Sequence, residues 1–208
     1  MFIDAIINNI RPRPALYLGE CNITKLRAFL DGYQTALYDF DIPEDDRDAL
    51  LPLSFWFFHE YVARCFGYIG STAGWCNMIL DQTDHDEEKG LCLFFTLYDE
   101  FMQLKIARIF TADLSSANKT HHITDKYAPR RMTGEHYNIA EPMYKNPISI
   151  SYAQLTNDAG HESYICIVQT ETERIIEDNL YSNEANVIKY FEQCFGAVNW
   201  REQSCGAD

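Results

Sequence analysis

The sequence predicts an α+β fold, with a helical N-terminal layer followed by a small antiparallel sheet and a C-terminal helix. Through the first half of the chain apolar residues recur at spacings of three and four, which places them on one face of a helix. At Ile148-Ser149-Ile150-Ser151-Tyr152 the period changes to two, the pattern of a strand with one buried face. Apolar residues make up 47% and aromatics 14% of the 208 residues, which supports a packed core and excludes global disorder.

The elements follow in order. Phe2 to Ile10 is a short amphipathic segment that stops before Arg11-Pro12-Arg13-Pro14, because each proline disfavours helix in the residue before it. Asn22 or Thr24 caps a helix carrying Ile23, Leu26, Phe29, Leu30, Tyr33 and Leu37 on one face. An acidic stretch, Asp39 to Asp48, holds six acids and Arg47 and includes a loop. Pro52 to Phe66 reads as a buried helix, apolar all round at Phe55-Trp56-Phe57-Phe58 and ended by Gly67. Ala73 to Leu80 is a shorter helix. Asp84, with Glu87 three residues later, offers a capping box for a helix through Leu91, Phe94, Phe95, Tyr98, Phe101 and Met102.

The helical region therefore spans 1–112. Residues 113–147 are poor in large apolar side chains and contain Pro129, Pro142 and Pro147. They read as a long polar loop, and loops of that length are usually functional or mobile. Residues 148–208 hold the strands. Asn157-Asp158-Ala159-Gly160 is a turn signal, Tyr164 to Val168 is the returning strand of a hairpin, and Arg174-Ile175-Ile176 is a candidate third strand. Ser182 or Asn183 caps a last helix that turns Val187, Ile188, Phe191 and Phe195 inward and closes at Gly196. The whole reads as one compact domain.

Composition narrows the function. Seven cysteines, an odd number without a Cys-x-x-Cys pair, sit mostly among apolar neighbours and read as reduced core residues. Met1-Phe2-Ile3-Asp4 has no basic segment ahead of its apolar residues, unlike a signal peptide. The longest apolar run, Leu50–Phe58, is interrupted by Pro52, short of the roughly 20 residues of a membrane span. The expected location is the cytoplasm. A net charge of −14 argues against nucleic acid and anionic membranes as direct ligands, since both require clustered Lys and Arg.

Motifs for chemistry are sparse. Arg13-Pro14-Ala15-Leu16-Tyr17-Leu18-Gly19 resembles a segment near the start of the ATPase domain of type II topoisomerase B subunits. That family's Asp-Gly-x-Gly is absent, and the next helix, Leu26 to Tyr33, lacks its nucleotide-binding Glu and Asn, so the ATPase inference fails. With Phe29-Leu30-Asp31-Gly32-Tyr33 and Gly74-Trp75, the string also resembles a bacterial protein family with an Arg-Pro-x-x-Tyr-Leu-Gly opening, a resemblance that implies no function. Locally, Pro14 fixes its own φ and Gly19 permits a positive one, which makes a fixed entry turn. His59-Glu60 starts like a zinc-protease motif, but Ala63 stands where the second histidine is needed. His121-His122, with Asp125 and His136, reads as part of a solvated loop rather than a metal site, because adjacent histidines diverge on regular backbone. Gly-x-Ser-x-Gly, Gly-x-Gly-x-x-Gly and the P-loop are all missing. No catalytic residue, metal or cofactor is expected.

Two functions fit these features. The preferred expectation is an acidic intracellular binding protein, of the immunity or antitoxin type, that neutralises a basic toxin such as a nuclease by electrostatic complementarity. Phe40, Asp41, Glu44, Asp45, Asp46 and Asp48 are its candidate contact residues, an aromatic anchor ringed by carboxylates. The alternative is an enzyme or small-anion sensor using the 113–147 segment. Its basic cluster contains Lys119, His121 and His122, and Lys126, Arg130, Arg131 and His136 are the candidate anion-binding residues.

Overall fold

The computed structural model describes residues 2–39, 55–68, 72–124, 130–133 and 139–203. The fold is α+β. The chain divides into two compact units, Met1–Gln103 and Leu104–Asp208.

The first unit is helical: α1 (Phe2–Ile10), α2 (Pro14–Leu18), α3 (Ile23–Asp39), α4 (Trp56–Cys65), α5 (Gly74–Asp81) and α6 (Glu87–Met102). The entry turn holds a short helix as well. Pro14 starts α2, and Gly19 ends it at φ +81° with its N–H on the Ala15 carbonyl. Asn22 caps α3, its Oδ1 accepting from the Lys25 N–H at 2.8 Å. Ile23, Leu26 and Leu30 are buried as the periodicity predicts, but Phe29 is 40% exposed.

Phe58 is the centre of this unit's core. Its ring lies 5.3 Å from Phe94, 5.6 Å from Phe101, 5.8 Å from Trp75 and 5.9 Å from Tyr98, all near edge-to-face. Such pairs add about 0.5–1.5 kcal/mol each to the burial of the rings. Around the core, Arg11 makes two bonds to Asp99, at 2.6 and 3.0 Å, and lies 5.0 Å over the Phe95 ring. The Tyr98 hydroxyl donates to Asp4.

The start of α6 departs from the expected capping box. Asp84 and His85 take left-handed φ values of +52° and +60°, so the turn continues past Asp84. Asp86 is the cap, its side chain accepting from the Lys89 N–H at 2.9 Å. Aspartate tolerates the left-handed region, so an Asp-rich turn offers several cap positions. No helix among the described residues is long and apolar enough to cross a membrane.

The second unit contains β1 (Lys105–Asp113), α7 (Ser116–Thr124), β2 (Arg130–Thr133), β3 (Ile139–Pro142), β4 (Pro147–Thr156), β5 (Glu162–Thr170), β6 (Arg174–Tyr181), α8 (Glu184–Phe195) and β7 (Arg201–Gln203). Five strands form an antiparallel sheet in the order β6-β5-β4-β1-β7, and β2 pairs with β3 separately. In the hairpin, Tyr152 faces Cys166 and Ile150 faces Val168. At its turn Gly160 sits at φ +79°, a conformation that favours glycine. Asn183 caps α8, accepting from the Asn186 N–H at 2.9 Å. Val187, Phe191, Cys194 and Phe195 then share a core with Tyr152, Tyr164, Cys166 and Val168.

Two boundaries differ from the sequence reading. The sheet begins at Lys105, not Ile148. In β1, among the side chains from Lys105 to Asp113, only Ala112 is buried, and a bulge lies between Ile106 and Arg108. The strand therefore lacks a clean alternation, although it pairs with both β4 and β7. The 113–147 segment is not a loop, since it holds α7 and the β2–β3 pair. A cap exchange starts α7. The Asn118 Oδ1 accepts from the Ser115 N–H at 3.1 Å, and the Ser115 Oγ accepts from the Asn118 N–H at 3.3 Å. Asparagine thus does what Glu or Gln does in the usual box, which hides the helix from a motif search.

Candidate functional site

An acidic segment joins α5 to α6 in the helical unit. Asp81, Asp84, Asp86, Glu87 and Glu88 fall within eight residues, and only His85 is a base among them. The left-handed pair Asp84-His85 folds this segment into a tight turn between α5 and α6. Each acid has a distinct setting. Asp86 accepts from the Lys89 backbone, which holds its carboxyl below the usual range, and its other oxygen lies 3.1 Å from Lys89 Nζ. Asp81 lies 3.9 Å from the His85 ring and accepts from the Tyr68 hydroxyl at 2.9 Å. Asp84 and Glu88 are exposed.

Glu87 joins this turn to a second element. Its two oxygens accept from the Thr24 N–H at 3.0 Å and from the Thr24 hydroxyl at 2.8 Å, so an α6 carboxylate satisfies an orphan donor at the start of α3. Just before α3 lies Glu20, exposed and 3.0 Å from Lys25 Nζ. Before Glu20 come Leu16 and Tyr17 on α2, which are 70% and 46% exposed. Phe29 follows Lys25 by four residues on α3, one turn along the same side. Leu16 and Tyr17 on α2 and Phe29 on α3 are thus exposed, and the acidic α5–α6 turn is tied to the start of α3 through Glu87 and Thr24.

The residues singled out in the sequence fall in several places. Phe40, Asp41, Glu44, Asp45, Asp46 and Asp48 lie outside the described residues, immediately after α3 in sequence, and so do Lys126 and His136. Arg130 and Arg131 are on β2, in register with Pro142 and Glu141 of β3. Lys119, His121 and His122 are on α7.

The two histidines are not in a solvated loop. His122 is buried, its ring 4.9 Å from that of Phe195 and nearly parallel to it, and its Nε2 lies 3.3 Å from the Tyr144 carbonyl. The imidazole is a flat, weakly polar body that packs like an aromatic ring once a nitrogen has a partner. His121 points elsewhere, with Nε2 3.1 Å from the Gln193 carbonyl. Together with Asn118, which donates to the Phe195 and Ala197 carbonyls at 2.7 and 3.1 Å, it caps the C-terminal end of α8. Among the described residues no group of three His, Cys, Asp or Glu could hold a metal. Cys21, Cys65, Cys76, Cys92, Cys166 and Cys194 are in no disulfide, and of these six Cys21 and Cys92 are exposed.

In the sequence, Asp84 to Glu88 signals only a helix start, and Leu16 and Tyr17 only part of a turn. Their exposure had one sequence signal: a helix confined between Pro14 and Gly19 is too short to bury every apolar residue it carries. Comparison with protein-family models, with curated proteins and with solved structures finds no match to this chain.

Proposed function

We propose that this chain is an acidic binding protein of the immunity or antitoxin type, acting in the cytoplasm by docking on a basic protein toxin such as a nuclease, without catalytic chemistry of its own. The observation that carries the reading is the acidic α5–α6 turn tied through Glu87 and Thr24 to the corner that exposes Leu16 and Tyr17.

Charge arithmetic supports it. With 31 acids against 17 Lys and Arg, at least 14 carboxylates lack a lysine or arginine counter-charge. Among the described residues several cations are paired within the molecule, as in Arg11–Asp99, Lys25–Glu20, Arg27–Asp31 and Arg108–Glu202. A nuclease must carry clustered Lys and Arg to hold phosphate, and a surface of matched opposite charge speeds its capture. Leu16 and Tyr17 supply the apolar contact that slows escape. The acidic stretch from Phe40 to Asp48, which follows α3 in sequence, extends the same chemistry.

Co-expression tests the reading. A basic, growth-inhibiting protein encoded beside this chain should be neutralised and should co-purify with it. The triple variant Tyr17→Ala, Asp84→Lys, Glu88→Lys should lose both effects while remaining folded. If neutralisation persists undiminished in the triple variant, the surface is wrong; if no basic neighbour binds the unmodified chain, the function is wrong.

A further inference from the structure

The second unit contains a cavity of about 470 Å³, within the roughly 300–1,000 Å³ of small-molecule sites. Its walls are α7, the end of β3 and the turn leading into β4, and its lining includes Lys119, His122, Ile123, Tyr144, Lys145 and Asn146. Among the described residues the lining has two lysines and no Asp or Glu, a local reversal in a chain of net charge −14.

We propose that this cavity binds a small organic anion, an acidic head group carried on an apolar or aromatic body. Lys119 and Lys145 supply the positive charge for the head. The rest of the wall suits the body. The Tyr144 hydroxyl is engaged with that of Tyr190 at 3.1 Å, and Pro142 and Pro147 add apolar surface. Ile123 lines the cavity while staying 60% exposed, a position from which a bound apolar group would shield it.

The floor is held firmly. The His122 ring packs against both Tyr144 and Phe195, which also meet each other. Asn146 takes a left-handed φ of +51° and donates to Glu171 at 3.2 Å, which fixes the turn carrying Lys145. A site built on packed elements needs little ordering when a ligand enters. This inference is independent of the toxin-binding reading, because it uses other residues in the other unit.

A pair of dyes tests it on the full chain. Anilinonaphthalene sulfonate is an organic anion of the right kind, and phenylnaphthylamine is its neutral counterpart. The sulfonate should bind saturably at one site per chain. Its amide shift changes should centre on Lys119, Ile123, Tyr144 and Asn146. The Lys119→Met, Lys145→Met variant, which keeps the apolar stems, should weaken the sulfonate about tenfold or more and the neutral dye by less than about twofold. Should that variant fail to fold, the shift map of the unmodified protein decides alone. Non-saturable binding, shifts centred outside the cavity, or equal weakening of both dyes would overturn the proposal.

Discussion

The Glu87 carboxylate accepts from both the backbone N–H and the hydroxyl of Thr24, 63 positions earlier in the chain. One side chain thereby caps a second helix and fixes where the acidic turn lies relative to the α2–α3 corner. Charge-assisted bonds at a helix N-terminus are worth about 1–2 kcal/mol. Glu87→Ala should lower unfolding stability by that amount in urea. In a double-mutant cycle with Thr24→Ala, a coupling of about 0.5 kcal/mol or more is expected; strict additivity would show that the contact is not energetic.

Two helix glycines should respond oppositely to enlargement. A Cβ on Gly90 would meet Ile23 Cγ2 at 3.1 Å and Leu80 Cδ2 at 3.4 Å, while one on Gly32 meets nothing within 4 Å. Gly32→Ala should stabilise by about 0.5–1 kcal/mol through helix propensity alone. Gly90→Val should destabilise by about 1–3 kcal/mol, because overpacking wedges α6 from α3 and α5. Thermal unfolding of both variants checks the sign of each effect.

The thiols should separate by burial. At mildly alkaline pH an alkylating reagent should modify Cys21 and Cys92, the exposed pair, before Cys76, Cys166 and Cys194, which are buried. Burial also pushes the thiols of Cys76 and Cys166 up from their ordinary value, further reducing the reactive thiolate. Peptide mass spectrometry over time gives the order; Cys166 reacting as fast as Cys92 would contradict the core described here.

Alkali should unfold the protein. Burial raises Cys65 from 9.0 to about 11. Burial also raises Tyr98, with the Asp4 carboxylate adding to it, and Tyr152, with Glu184 adding to it. The fold therefore favours the neutral thiol and phenols. That contribution is intact below the unfolded values of 9.0 and 10.0 and is lost as pH climbs through the raised ones. The urea midpoint should be steady below pH 9 and fall above pH 10. A midpoint that rises with pH in that range would refute the assignment.

The elements most legible in the sequence were those whose signals are local. The hairpin turn at Asn157–Gly160, the Asn22 and Asn183 caps, the entry turn at Pro14–Gly19 and the helix end at Gly196 all rest on backbone chemistry within a few residues. β1 was hidden because a bulge breaks its alternation and most of its side chains are not buried. α7 was hidden because its cap uses Asn118 in an unexpected role and its buried face contains a histidine. The acidic turn was legible only as a helix start, and its tie to Thr24 is a contact across 63 positions, which no window of sequence contains. The exposure of Leu16 and Tyr17 likewise depends on which neighbours α2 finds.

The association rate with a basic protein partner tests the central claim most directly. Stopped-flow mixing at low and high salt should show fast, strongly salt-dependent capture by the unmodified chain. The Asp84→Lys, Glu88→Lys variant should associate at least about tenfold more slowly at low salt, with a shallower salt slope and an unchanged unfolding midpoint. An association rate and salt slope indistinguishable from those of the unmodified chain would contradict the assignment of this acidic turn as the docking surface.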